Sequence, residues 1–240
     1  MGSRDMGEGA RGIHDQSVCV SQRLRGHAWK GMHEMKKVMI ATLLLLVAFG
    51  AAAGAMVGYQ LGMFDDPKAE VAIGDTLPAF ELQDAEGNTH RLSDYTGQIL
   101  VIIFCSQHCP FSVGVDPDLA VLAEQYADEN VAFLGIDSHH STTPDAIAAY
   151  ATEKRLPYPT LKDPGNAYAD QLGAKRTPEI FIVDTEGTLV YHGAFDSRRG
   201  TTSPGSTPYT ADALAALVAG ETIPTPETRA WGCSIKRAEP

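Results

Sequence analysis

The hydrophobic pattern changes character twice along the chain. Residues 1–34 are rich in Gly and Arg and show no apolar period. They read as a disordered or non-native N-terminal extension, with Met35 as a natural start. From Lys36 the pattern becomes continuous, and residues 38–58 carry no charge. About 20 such residues span a bilayer as one helix. Segment 36–62 is therefore expected to be a transmembrane anchor. Lys36 and Lys37 before it, and Asp65 and Asp66 after it, orient its N-terminus to the cytoplasm. A cleaved signal peptide is the competing reading, with Ala53, Gly54 and Ala55 as the small-residue site. The first reading gives a single-pass protein of the cytoplasmic membrane with its C-terminal domain on the extracytoplasmic (periplasmic) side, and the second a secreted one. Residues 63–75 form a linker.

Beyond it, residues 76–240 alternate between strand and helix patterns. Residues 78–84 read as a strand, and residues 84–88 as a turn in which Gly87 and Asn88 supply permissive backbone. Residues 99–104, Ile-Leu-Val-Ile-Ile-Phe, are a continuous apolar run of the kind buried on both faces, as are residues 131–137. Leu119, Leu122 and Tyr126 recur at helical spacing. Thr143 is placed to cap a helix opening at Pro144. A short strand is expected near 158–163, and a helix at 167–172 ended by Gly173. Residues 179–184 and 188–195 form an antiparallel hairpin, and residues 211–220 a last helix. Residues 197–209 are a polar Gly/Ser/Pro loop, expected to be mobile. Strands alternating with helices predict an α/β fold: a central mixed β-sheet with helices on both faces.

Composition narrows the function. The 240 residues carry a net charge of -11, which argues against nucleic-acid binding. Residues 1–37 hold seven Lys/Arg against four Asp/Glu, so the basic head precedes the apolar segment as in a targeting sequence. Four cysteines, at 19, 105, 109 and 233, are too few for a disulfide scaffold and point to chemistry. Cys19 falls on the cytoplasmic side and is set aside.

The chemistry concentrates in residues 104–112, Phe-Cys-Ser-Gln-His-Cys-Pro-Phe-Ser. A buried strand ends at Phe104 and a helix begins near Cys109. A thiol at a helix N-terminus has its thiolate stabilised by the dipole and by free backbone N–H groups. His108, when protonated, adds to this. Cys109 is thus the candidate nucleophile.

These residues resemble the active-site segment of the thioredoxin fold, where a Phe-x-x-x-x-Cys-Pro-x-Cys run joins a strand to a helix. Cys109 stands at the attacking position and Ser112 at that of the second, resolving cysteine. A second landmark is Thr177-Pro178 before a strand, where the fold carries a cis proline facing the active cysteine. Residues 109–119, residues 183–196 and the tail 224–237 are similar to the peroxiredoxin-like, AhpC/TSA-type redoxins, a likeness that covers residues 74–237. It implies a thioredoxin-like redoxin domain and an oxidoreductase working by thiol–disulfide exchange or thiol-dependent peroxide reduction, with an antioxidant role and no dissociable cofactor. Its partners would be a protein disulfide or peroxide and an external thiol reductant. Pro178 would shape the substrate groove, and Thr177 would offer its backbone to an extended substrate. The chain also departs from the family. The threonine of the typical peroxidase signature is missing before Cys109, and a cysteine stands at 105 where related chains carry one at 106.

Three partners remain open for Cys109: Cys105, close in sequence; Cys233, on a tail able to fold back; and an external thiol. Two further classes compete. Cys105 and Cys109 have the spacing of Sco-type copper chaperones, and two thiolates with an imidazole from His139, His140 or His192 suit copper(I). An inactive adaptor domain is the other, with Ser112 as the mark of a lost activity. The bland readings are a buried strand-end thiol for Cys105 and solvated loop histidines for His139 and His140.

Overall fold

The computed structural model describes residues 70–238. The segments expected at 1–34 and 36–62 lie outside them. Among the described residues no helix is long and apolar enough to cross a membrane.

The strands are β1 (Glu81–Asp84), β2 (Thr89–Arg91), β3 (Ile99–Cys105), β4 (Val131–Asp137), β5 (Thr160–Lys162), β6 (Arg176–Thr177), β7 (Glu179–Val183), β8 (Leu189–Gly193) and β9 (Cys233–Ser234). The α-helices are α1 (Pro110–Gln125), α2 (Pro144–Lys154), α3 (Ala167–Leu172) and α4 (Tyr209–Val218). Seven strands form one mixed sheet in the order β2-β1-β5-β4-β3-β7-β8, with β3, β4 and β5 parallel and the rest antiparallel. β6 and β9 form a separate two-stranded ribbon.

The central strand β3 divides the core by its period of two. Leu100, Ile102 and Phe104 face one cluster, which includes Tyr168, Ala169 and Leu172 of α3. Ile99, Val101 and Ile103 face the other, which includes Val115, Leu119 and Leu122 of α1 and Leu214 of α4. Each such fully buried side chain contributes about 1.5–3 kcal/mol. The same alternation turns Cys105, the last residue of β3, toward the α1 cluster.

Most local signals act as expected. The Thr143 hydroxyl accepts from the Ala146 amide at 3.3 Å, and Gly173 ends α3 with φ 73°. The Asp84 carboxylate holds the 84–88 turn by accepting from the Glu86 and Asn88 amides. Gly74 and Asp75, assigned to the linker, already hydrogen-bond Leu189, so the domain begins earlier than the pattern suggests. The first strand is shorter than expected and starts at Glu81, after Pro78.

The loop at 197–209 differs most from its expectation. Its second residue, Arg198, is buried. The guanidinium donates to both Asp196 carboxylate oxygens, to Asp118 Oδ2 at 2.5 Å and to the Gly114 carbonyl of α1 at 3.1 Å. The Gly205 amide donates to Asp196 Oδ2 at 2.9 Å. This charge cluster pins a polar loop to α1. Arg198→Ala leaves the buried Asp196 carboxylate without its cation and is expected to lower the unfolding free energy by about 3–5 kcal/mol. Arg237→Ala, which removes an exposed pair with Asp170, should lower it by less than about 1 kcal/mol. Chemical denaturation of the two variants checks the contrast.

Candidate active site

The site lies where β3 gives way to α1, at the carboxyl end of the parallel strands. Cys109 is the N-cap of α1, in extended conformation (φ -100°, ψ 112°), and Pro110 occupies the first helical position, where its missing N–H does no harm. The Cys109 thiol is almost fully buried, at 2% exposure. Its Sγ accepts from the Ser112 amide at 3.4 Å and, as a neutral thiol, donates to the Thr177 carbonyl at 3.0 Å. The Thr177–Pro178 peptide is cis. Ser112, at the position of the family's second cysteine, is buried, and its hydroxyl accepts from the Ser106 amide at 3.1 Å. It braces the turn before Cys109.

Cys233 arrives from the far end of the chain. β9 pairs antiparallel with β6, placing Cys233 opposite Thr177 and Ser234 opposite Arg176. The tail is fastened on both sides. Upstream, the tail runs along β8, the His192 amide donating to the Pro226 carbonyl and the Thr228 amide to the His192 carbonyl, and Trp231 Nε1 donates to the Asp196 carbonyl at 3.0 Å while its ring meets Phe111 edge-on at 5.7 Å. Downstream, the Ile235 amide donates to Lys175, Ile235 itself is buried, and the His140 amide donates to Lys236. Gly232 allows the close approach: with φ 129°, a Cβ there would lie 2.2 Å from the Thr177 carbonyl oxygen.

Cys109 and Cys233 are both free thiols, and they titrate as a pair. Burial pushes the Cys109 thiol up. Hydrogen bonds from Cys233, the Thr177 side chain and the Ser112 amide outweigh burial and leave it below the ordinary value. Burial and the neighbouring Cys109 raise Cys233 to about 11. The first proton is therefore lost from Cys109, and Cys233 keeps its own.

Cys105 lies elsewhere. It lines a separate cavity beneath α1 with Asp116, Asp137 and Tyr150. Burial and those two carboxyls hold its thiol well above the ordinary value. The Asp116 carboxyl is itself raised to about 6 by burial and hydrogen-bonds the Tyr150 hydroxyl. The copper set expected from Cys105, Cys109 and His139 is therefore corrected: strand alternation points Cys105 away from the cavity that holds the other two. Among the described residues, no group of three or more His, Cys, Asp or Glu is gathered to hold a metal ion.

His108 is exposed and its ring lies tilted against His139 at 4.6 Å between centroids, with His140 stacked on His139 at 5.1 Å. Burial, then the charges of His108, His140 and two lysines, depress His139. His139 and His108 rim the Cys109 cavity, which measures about 60 Å³. His192 lies outside it, with Nε2 2.8 Å from Glu179 Oε1.

The sequence reading passed over Glu179 and Trp231. Glu179 is buried directly after Pro178, and its Oε2 accepts from the Lys175 and Arg176 amides at 2.7 Å each. It fixes the strand that presents Thr177. A charged residue opening an otherwise apolar strand was the available signal. For Trp231 it was an indole beside Gly-Cys in a polar tail. The Thr177 edge expected to meet an extended substrate is paired with β9 in this structure.

The AhpC/TSA family matches residues 73–192, half of the chain. The chain belongs to that family. Its relatives include the thiol-disulfide oxidoreductase ResA of Geobacillus thermodenitrificans, 26% identical over 159 residues, which are 66% of this chain and 87% of that one. Chloroplastic peroxiredoxin Q of Gentiana triflora is 26% identical over 55% of this chain and 64% of its own length. Among solved structures, an uncharacterized conserved protein from Geobacillus kaustophilus matches with TM-score 0.66 and 31% identity, over 70% of this chain and 93% of that one. The thioredoxin-like α/β fold with its mixed sheet is thus shared, and this AhpC/TSA chain is an oxidoreductase.

The paired thiols give a direct test. In a Cys19→Ser background, ultraviolet thiolate absorbance should rise in a first step at lower pH than that of an ordinary cysteine thiol. Cys233→Ala removes a hydrogen bond that favours the thiolate, so the first step should move to higher pH.

Proposed function

We propose that this chain is a thiol-dependent peroxidase for small hydroperoxides, with Cys109 attacking and Cys233 resolving. The observation that carries the reading is the pairing of Thr177 with Cys233, which sets a protonated thiol against a stabilised one at a helix start. The Cys109 thiolate attacks the distal peroxide oxygen. The O–O bond breaks, the alkoxide takes a proton and leaves as the alcohol, and Cys109 becomes a sulfenic acid. The Cys233 sulfur then attacks Cys109 Sγ, expelling the sulfenic oxygen as water and closing a Cys109–Cys233 disulfide. Two equivalents of an external thiol return both cysteines to the reduced state.

The narrow cavity and the occupied β6 edge favour a small peroxide over an extended polypeptide. In this reading the Thr177 carbonyl holds the thiol until it ionises, and Pro178 keeps metal ions from it, as the family resemblance implies. His108 adds positive charge when protonated, Ser112 braces the turn, and Cys105 takes no part. The likeness to a ResA thiol-disulfide oxidoreductase supports a second reading, in which the tail lifts from β6 to admit a protein disulfide. The proposed place of action is outside the cytoplasmic membrane, on an anchor at residues 38–58. What supports it is the uncharged apolar run behind Lys36 and Lys37.

Treatment of the full-length protein with one equivalent of hydrogen peroxide, followed by mass-spectrometric mapping, tests the assignment. The expected product is a Cys109–Cys233 disulfide that persists in Cys105→Ser. In Cys233→Ser it should be replaced by a Cys109 sulfenate. A disulfide through Cys105, or Cys105, Cys109 and Cys233 all left unreacted, would sink the proposal. Gly232→Ala, which cannot seat the tail against Thr177, should slow disulfide closure by at least about tenfold, as loss of effective concentration requires.

A further inference from the structure

A second polar cavity lies beside the β6–β9 ribbon. It measures about 410 Å³ and is lined by Arg176, Arg199, Arg229, Ala230, Trp231 and Gly232. Three of the six are arginines and none is acidic. In a chain of net charge -11, such a concentration of like charge is unfavourable until an anion neutralises it.

The fold shows what a neutralised arginine looks like one position away. Arg198 is buried against Asp196 and Asp118. Arg199 and Arg229 are exposed and make no ion pair among the described residues. Arg176 is oriented by its own contacts, Nη1 donating to the Gly232 carbonyl at 3.4 Å and to Ser234 Oγ at 3.2 Å. Trp231 is held by its bond to Asp196, so the indole forms a fixed wall. Planar guanidinium forks match carboxylate and phosphate oxygens. The lining shares the β6–β9 ribbon with the redox pair: Gly232 precedes Cys233 and Arg176 precedes Thr177, which pair across it.

We propose that Arg176, Arg199, Arg229 and Trp231 form an anion subsite that holds the carboxylate of the small thiol reducing the Cys109–Cys233 disulfide. This rests on the pairing argued above. The reductant's thiolate attacks Cys233 Sγ, the more exposed of the two sulfurs, forming a mixed disulfide and expelling Cys109 as thiolate. A second reductant thiolate attacks the sulfur of the first. It releases the oxidised reductant and leaves Cys233 to take up a proton. Two thiols thereby pass two electrons to one disulfide.

The test uses the peroxide-oxidised full-length protein and three reductants: mercaptosuccinate, 2-mercaptoethanol and cysteamine. Reduction rates are compared per thiolate. Mercaptosuccinate should outpace 2-mercaptoethanol by about tenfold or more, with an advantage that shrinks as salt rises. In an Arg199→Gln/Arg229→Gln variant the ratio should fall toward one. In Arg199→Glu/Arg229→Glu the preference should pass to cysteamine, a gain that misfolding cannot produce. Equal ratios in wild type and variants would overturn the subsite.

A second measurement is independent of redox chemistry. In a Trp29→Phe background, Trp231 fluorescence is titrated with succinate and with inorganic phosphate. A saturable change with succinate that the Gln variant lacks supports the subsite. Saturation by phosphate alone overturns the carboxylate assignment, and no response to either overturns the subsite itself. If peroxide forms no Cys109–Cys233 disulfide, the peroxidase reading and the reductant's role both fall, while the titration still decides whether the arginines hold an anion.

Discussion

The return of the C-terminal tail to the edge of β6 is the contact on which the site depends. Without it Cys109 is a buried thiol at a helix start with no second sulfur beside it. A strand of two residues has almost no stability of its own. β9 persists because its neighbours are fastened independently, Thr228 and Trp231 before it and Ile235 after it. Glu179 does the same for the opposing strand by holding the Lys175 and Arg176 amides. Two weak strands become a defined pair because each is immobilised elsewhere.

The central sheet was legible in the sequence because burial on both faces writes a continuous apolar run, as in β3 and β4. The helix starts were legible too, since Thr143-Pro144 and Cys109-Pro110 carry their own capping chemistry. The cis peptide before Pro178 followed from the family resemblance. What stayed hidden was long-range. The sequence left Cys233 open as one of three partners for Cys109, but nothing in the tail's polar, proline-containing run announces the strand it pairs with, more than fifty residues away. A two-residue strand has too few positions for a period to show. Arg198 was unreadable for the same reason, because its carboxylates lie on a loop and on α1.

Cys105 shows how sequence proximity misleads. It is four residues from Cys109, yet the intervening turn and the alternation of β3 send the two sulfurs into different cavities. Around Cys105, two buried carboxyls and desolvation all oppose the thiolate. Around Cys109, an amide and a neighbouring thiol favour it. Chemically identical side chains are thus driven apart in reactivity by the groups each one meets.

The fixed position of Cys233 has a consequence for the lifetime of the oxidised sulfur. A tethered thiol competes at an effective concentration of millimolar order or above. Peroxide must reach the same sulfur by diffusion from a dilute pool. In the proposed reaction, the sulfenate is captured from within before a second peroxide arrives to carry it to the irreversible sulfinate. The tail would thus set how harsh an oxidising environment the protein survives.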